Sequence, residues 1–267
     1  MGDQMTSRFD SGECKLAYQD LGPSDAPALI LAHPLGFGQH VWHGVLSELH
    51  SQLRVITYDL RGHGGSDCPE PPYSMGTLIR DTETLLDHLE IRDCVFLGAG
   101  IGGLVAQGLA VKRLDQIRAM VLCGTAAKIG YPAHWKSRIE TVRLDGIEAI
   151  ATEVLKRSFS RKFLASCDLQ RWHQSVLQQN PDGYIGCVQA ISGTDFYTPT
   201  SGLRLPTLGL VGSDDRITPP DLMRETVDLI PGSQFQLFRG AGHLPFVEQP
   251  SAFADHLTKF LKTIGHI

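Results

Sequence analysis

Short runs of apolar residues alternate along the chain with stretches of helical periodicity. The runs lack polar alternation, and most contain β-branched or aromatic side chains, which is typical of central strands in a parallel sheet. The pattern therefore predicts an α/β fold with a mostly parallel central sheet flanked by helices. The six predicted strands are Ala28–Ala32, Val55–Tyr58, Val95–Leu97, Met120–Leu122, Leu208–Val211 and Phe235–Phe238.

Helical signals fall between and after these runs. Apolar residues recur at helical spacing from Met75 to Leu89, and Ser74 stands before them as an N-cap. Thr218 and Pro219 predict the cap and the first residue of a later helix, and residues 251–261 predict a final one.

The alternation of strands and helices stops in the middle of the chain. No strand-like run occurs between about residues 126 and 200, and three segments there have helical character: 140–159, 168–177 and 181–191. We therefore expect a helical cap at 126–200, inserted into a core domain formed by residues 1–125 and 201–267.

Composition narrows the class of partner. With 42% hydrophobic and 20% charged residues and a net charge of −5, the 267-residue chain resembles an ordinary globular protein and gives no electrostatic reason to bind nucleic acid. A small molecule is the expected partner, and the pattern predicts no oligomeric state.

The cellular location is predicted from signals for export and for membrane insertion, and from the cysteines. The N-terminal residues carry no basic stretch followed by an apolar run, and nowhere do about 18 apolar residues follow one another. Six cysteines are scattered without metal-like spacing and are expected to be reduced, mostly buried thiols. We expect a cytoplasmic protein without membrane contact.

The sharpest chemical motif runs from Val95 to Gly103, with the sequence V-F-L-G-A-G-I-G-G. A strand followed by small residues and a helix is the form of a nucleophile elbow, G-x-S-x-G, in which Gly100 occupies the serine position. Glycines are needed on either side because side chains there would collide with neighbouring backbone. The same letters also match G-x-G-x-x-G, a phosphate-binding turn. That alternative is disfavoured because no strand end with an acidic residue follows about 20 positions later, at Asp115 and Gln116.

Two further residues complete a catalytic order. Asp215 follows the strand that ends near Val211, and His243 lies in a glycine-flanked loop after the next strand. Alone, Asp214 and Asp215 are more typical of turn formers, and a loop histidine is more often solvated. Elbow, acid and histidine in this order are what an α/β-hydrolase requires.

With these motifs the chain resembles the α/β-hydrolases, and among them the 3-oxoadipate enol-lactonases of aromatic-ring catabolism, over nearly its whole length. The resemblance rests on these segments: His33–Gly36, Asp59–Gly64, the elbow, Leu122–Gly130, Trp135 with Arg138, and 183–191.

The resemblance implies roles for named residues. Asp215 is the triad acid, His243 is the base, and the N–H groups of Leu35 and Ile101 form the oxyanion hole. Neither a metal nor an organic cofactor is implied.

The pocket residues implied by the resemblance lie in the cap. Trp135 and Arg138 would lie over the pocket and meet a substrate carboxylate, although packing and solvation are their ordinary roles. The chain departs from the family pattern at Gly100, at Gly124 where asparagine is usual, and at Ser158 where an aromatic residue is common.

Gly100 leaves three hypotheses for function, because a serine acyl-enzyme cannot form. The chain is an inactive variant of an ester or lactone hydrolase, or it hydrolyses an enol lactone with water that His243 activates. In the third, it is a ligand-binding homologue, or a lyase or decarboxylase in which His243 and Asp215 transfer protons.

Overall fold

The computed structural model describes residues 6–49 and 52–267. Its eight strands form one sheet in the order β1-β2-β4-β3-β5-β6-β7-β8. The strands are β1 (Ser7–Asp10), β2 (Lys15–Leu21), β3 (Ala28–Ala32), β4 (Arg54–Tyr58), β5 (Cys94–Ala99), β6 (Ile117–Cys123), β7 (Thr207–Gly212) and β8 (Gln234–Phe238).

All six predicted strands are confirmed, and strands β4, β3, β5, β6, β7 and β8 are parallel. The expected burial on both faces is wrong for β8, which lies at the sheet edge and is mostly half-exposed. The hydrophobic pattern does not predict β1 and β2, which pair antiparallel with each other and extend the sheet beyond β4. β1 contains a single apolar residue, Phe9, and β2 shows no regular apolar pattern, so both resemble loops in the sequence.

Twelve α-helices lie in the described part of the chain. They are α1 (His43–Leu46), α2 (Met75–His88), α3 (Ile101–Lys112), α4 (Pro132–Asp145), α5 (Glu148–Ser158), α6 (Arg161–Leu164), α7 (Leu169–Leu177), α8 (Pro181–Ser192), α9 (Tyr197–Ser201), α10 (Pro220–Asp228), α11 (Pro245–Glu248) and α12 (Pro250–Thr263). None of them is both long and apolar enough to cross a membrane.

The predicted N-cap of α2 is confirmed, because the hydroxyl of Ser74 accepts a hydrogen bond from the backbone N–H of Thr77. The predicted start of α10 is wrong. Pro219 occupies the N-cap position and the helix begins at Pro220, since the hydroxyl of Thr218 instead donates to Asp215.

The middle of the chain is helical, as expected, with α4 to α9 between β6 and β7. The predicted stretch 140–159 is two helices, because Gly146 with φ of +79° ends α4 before α5 begins. A division into a core and a cap at residues 126 and 200 stays a prediction. The architecture confirms the expected α/β-hydrolase fold, and it brings the C-terminal ends of the parallel strands to one edge.

Candidate active site

The turn between β5 and α3 consists of Gly100 alone, with φ of 53° and ψ of −117°. Its neighbours leave no room for side chains. A β-carbon on Gly98 would lie 2.1 Å from the carbonyl oxygen of Gly102, and one on Gly102 would lie 2.4 Å from that of Ala32. The elbow therefore requires glycine two residues before and two residues after Gly100, as the sequence motif predicts.

The backbone of Gly100 is held in place by β6 and the loop after it. Its N–H donates to the carbonyl of Cys123 at 3.0 Å, and its own carbonyl accepts from the hydroxyl of Thr125 at 2.7 Å. This conformation, which favours glycine, is therefore held from outside the turn.

Asp215 and His243 form a hydrogen-bonded pair, with 2.8 Å between Asp215 Oδ2 and His243 Nδ1. Oδ1 of Asp215 accepts from the backbone N–H groups of Ile217 and Thr218, and Oδ2 also accepts from the Thr218 hydroxyl. Because the carboxylate can only accept, Nδ1 carries the proton and Nε2 is left as an acceptor.

Nε2 of His243 faces Gly100. A β-carbon on Gly100 would lie 3.3 Å from it and 3.1 Å from Cβ of Pro34. No hydrogen-bond partner of Nε2 is found among residues 6–49 and 52–267, although the histidine is only 4% exposed. The structure thus brings the three predicted catalytic positions together, with a free acceptor nitrogen where a serine hydroxyl would donate.

Gly124 borders the other side of the ring. A β-carbon there would lie 2.9 Å from Nδ1 of His243, and φ is +48°. With its glycine, this chain lets the imidazole pack against the backbone after β6.

Leu35 and Ile101 line the same pocket as Gly100, and Ile101 directly follows Gly100 in the chain. Ile101 is the first residue of α3, so its N–H has no acceptor within the helix. Within the described part of the chain, neither N–H donates a hydrogen bond. A free N–H at a helix N-terminus, that of Ile101, and a free N–H in the loop after β3, that of Leu35, suit an oxyanion.

Two buried histidines hold the loop that carries Leu35. His33 Nδ1 donates to the carbonyl of Pro34 at 2.8 Å, and Nε2 of His63 accepts from the N–H of Gly36 at 3.2 Å. Burial lowers the pKa of His33 to about 4 and that of His63 to about 3. Nε2 of His33 also accepts from the N–H of Leu60 at 2.9 Å, so each ring accepts through one nitrogen and both rings are neutral at pH 7.

Trp135 and Arg138 both line the pocket that opens above Gly100. The indole N–H of Trp135 donates to the carbonyl of Ile129 at 2.7 Å, so its polar atom is already used. Arg138 is buried and donates to Glu153 at 2.7 Å. The rest of the lining is mainly apolar: Leu35, Ile101, Ile129, Val154, Ile191 and Ile217.

Several residues of the site have roles that the sequence does not predict. Thr218 was assigned to a helix cap, whereas its hydroxyl orients Asp215. Arg157 and Tyr184 also line the pocket. Tyr184 lies in segment 183–191, which carries the family resemblance, whereas no pattern in the sequence marks Arg157. Asp115 lies before β6, at the opposite edge of the sheet from Gly100, so the dinucleotide-binding alternative has no acidic partner there.

Among the described residues, no group of three or more histidine, cysteine, aspartate or glutamate side chains is arranged to hold a metal ion. All six cysteines are free thiols; four are buried, Cys68 is half-buried and Cys167 is exposed.

Comparison with known proteins agrees with this geometry. A profile of the alpha/beta hydrolase family matches residues 29–256. The 3-oxoadipate enol-lactonase 2 of Acinetobacter baylyi is 32% identical over 249 residues, which cover 92% of this chain and 93% of that protein.

Solved structures show the same relationship. The enol-lactonase from Burkholderia xenovorans has a TM-score of 0.92 at 30% identity, covering 96% of this chain and 100% of its own. A malate-bound thermophilic esterase from Thermogutta terrifontis has a TM-score of 0.90 at 29% identity, covering 97% and 99%. The resemblance expected from the sequence is thereby confirmed.

Proposed function

Because the chain belongs to the alpha/beta hydrolase family, we propose that it hydrolyses a small carboxylate-bearing ester or enol lactone in the pocket above Gly100. The mainly apolar lining with two arginines, Arg138 buried and Arg157 half-buried, suits an organic acid of modest size. The enol-lactonase relatives support the lactone as substrate. The proposal extends to a place in aromatic-compound catabolism through the β-ketoadipate pathway and to a cytoplasmic location.

The proposed nucleophile is water, because Gly100 has no side chain to attack the substrate. Nε2 of His243 accepts a proton from the water while its oxygen bonds to the carbonyl carbon. The N–H groups of Leu35 and Ile101 stabilise the oxyanion, and Asp215 stabilises the imidazolium. The carbonyl carbon then releases the enolate oxygen, which takes the proton from Nε2, so the products are a carboxylic acid and an enol.

One observation carries this proposal: Nε2 of His243 is unpartnered within the described residues and lies 3.3 Å from the β-carbon position of Gly100. A base directed at that position accepts a proton from an O–H group located there, whether it belongs to serine or to water. An enolate is a good leaving group, which makes the loss of a covalent intermediate tolerable.

Gly100 itself favours a second candidate, a homologue that binds the same ligand without turning it over. An intact His243–Asp215 pair without a nucleophile also suits a proton-transfer reaction, as in a lyase or decarboxylase. Both candidates use the same pocket and differ in what happens to the ligand.

The deciding experiment measures hydrolysis of an enol lactone and of simple aryl esters by three proteins: the chain as it is, His243→Ala and Gly100→Ser. Activity of the unaltered chain that His243→Ala abolishes supports water activation. Activity in Gly100→Ser alone identifies an inactive hydrolase and refutes the water mechanism. Ligand binding without turnover in any of the three supports the binding homologue.

A further inference from the structure

Glu248, the last residue of α11, connects two segments that are distant in the sequence. Its Oε1 accepts from the backbone N–H of Gly242 at 2.8 Å and from that of Ser160 at 3.0 Å. Its Oε2 accepts from the Ser160 hydroxyl. Gly242 precedes His243, whereas Ser160 lies between α5 and α6, so one carboxylate joins the histidine loop to the helical region above it.

The two segments touch through their backbones. A β-carbon on Gly242 would lie 2.7 Å from the carbonyl oxygen of Ser158 and 2.8 Å from the carbonyl carbon of Phe159. The N–H of His243 donates to that same Ser158 carbonyl at 2.8 Å. No other acceptor for the Gly242 N–H is found in the described chain.

The carboxylate of Glu248 is well supplied with donors. Burial raises its pKa, and the hydrogen bonds from Ser160 and Gly242 oppose that rise, while nearby Asp214 adds to it. Three donors on one carboxylate make charge-assisted hydrogen bonds, which are shorter and stronger than neutral ones. The contact is therefore stronger than a surface hydrogen bond.

We infer that Glu248 is a positioning residue for His243. It fixes the peptide before the histidine, the Ser158 carbonyl fixes the histidine's own N–H, and Asp215 fixes the ring. With the main chain and Nδ1 both held, the imidazole has one orientation left, in which Nε2 faces Gly100. The effect on turnover rests on the proposed function, whereas the effect on the geometry of His243 does not.

Nuclear magnetic resonance on the full chain tests this without any substrate. The measurements are hydrogen exchange at the amides of Gly242 and His243, and the downfield proton resonance of the Nδ1–H shared with Asp215. In Glu248→Ala we expect exchange at both amides to be at least about tenfold faster and the downfield resonance to be lost. Glu248→Gln keeps an oxygen acceptor and is expected to restore most of the protection.

Gln249→Ala is the matched control, because the neighbouring Gln249 side chain donates to the carbonyl of Arg239 and does not contact Gly242 or Ser160. We expect it to leave both readouts unchanged. A lower melting temperature in Glu248→Ala with an unchanged downfield resonance would show a merely structural role and overturn the inference. If Glu248→Ala does not fold, Glu248→Asp decides, because its carboxylate is one carbon shorter and cannot reach Gly242 and Ser160 together. We expect faster exchange at both amides in this variant; unchanged exchange with an unchanged resonance would also overturn the inference.

Hydrolysis, where the unaltered chain shows it, provides a second readout. A positioning role predicts a lower kcat in Glu248→Ala with KM within about twofold, since the substrate pocket is untouched. If no variant hydrolyses any ester, the proposed function fails while the resonance measurements still decide the role of Glu248.

Discussion

His243 Nε2 lies 3.3 Å from the point that a β-carbon on Gly100 would occupy. A serine hydroxyl extends one bond beyond that carbon and could donate to Nε2 after small adjustments. The chain has therefore kept the geometry of a nucleophile and base while lacking the nucleophile itself. Several expectations follow from the atoms around these two residues.

Gly100→Ala is expected to lower the free energy of unfolding by about 1–3 kcal/mol, because a side chain is strained at its positive φ. Gly232→Ala is the matched control, since Gly232 has φ of +80° and nothing within 4 Å of its β-carbon position. Urea unfolding measures both. The larger loss should occur at Gly100, where Pro34 and His243 crowd the new carbon; an equal loss would show that crowding contributes nothing.

The pH dependence of stability should reflect His33 and His63. Burial holds their folded-state pKa values at about 4 and about 3, below the ordinary 6.5, so folding favours the neutral rings. This stability is fully present above pH 6.5 and is lost as the pH falls, at about 1.4 kcal/mol per pH unit for each ring. Urea unfolding between pH 7 and pH 5 measures the slope.

The matching variants are His33→Asn and His63→Asn. Each should flatten the slope by about 1.4 kcal/mol per pH unit, whatever it does to stability at pH 7. Glu248 acts in the opposite direction, because burial raises its pKa and protonation favours the folded state. A slope that neither histidine variant changes would contradict the assignment.

Arg138 and Glu153 should affect carboxylate binding in opposite directions. Their side chains are 2.7 Å apart, so Glu153 competes with a ligand for the guanidinium. Arg138→Ala should weaken binding of a small dicarboxylate about tenfold, the loss of one charged hydrogen bond. Glu153→Gln should strengthen it a few-fold. Calorimetry measures both, with a dimethyl ester as the neutral control; equal effects on acid and ester would argue against a carboxylate site.

Thr125 holds the turn at Gly100 through its hydroxyl, which donates to the carbonyl of Gly100 at 2.7 Å. Thr125→Val keeps the shape and removes the donor, so the free energy of unfolding should fall by about 1 kcal/mol. Thr125→Ser keeps the hydroxyl and should retain most of it. Thermal unfolding compares the pair, and equal melting temperatures for Val and wild type would refute the contribution.

The sequence predicts the fold well because parallel strands buried on both faces leave unbroken apolar runs, such as Ala28–Ala32. It predicts β1 and β2 poorly because short strands with exposed residues resemble loops. The start of α10 was misplaced for a different reason. Thr218 precedes Pro219 as a helix cap would, yet the nearby carboxylate of Asp215 takes its hydroxyl.

The order of the strands along the chain is enough to predict the three catalytic positions of the site. Gly100, Asp215 and His243 follow known strand ends, and the parallel sheet brings such ends together. The role of Glu248 was out of reach, because its contact with Ser160 spans 88 positions and depends on how a helical turn lies over a loop. Spacing patterns do not contain such contacts.

The shape of the elbow is enforced at Gly98 and Gly102, where an added carbon would run into backbone, and much less at residue 100, where the nearest atom would be 3.1 Å away. The shape of the turn and the reactive group at its centre therefore depend on different residues. A lineage can lose its nucleophile, regain it, or exchange it for cysteine or aspartate in single steps without leaving the fold. The glycines around the turn mark membership of the family, whereas the single residue between them determines the kind of reaction.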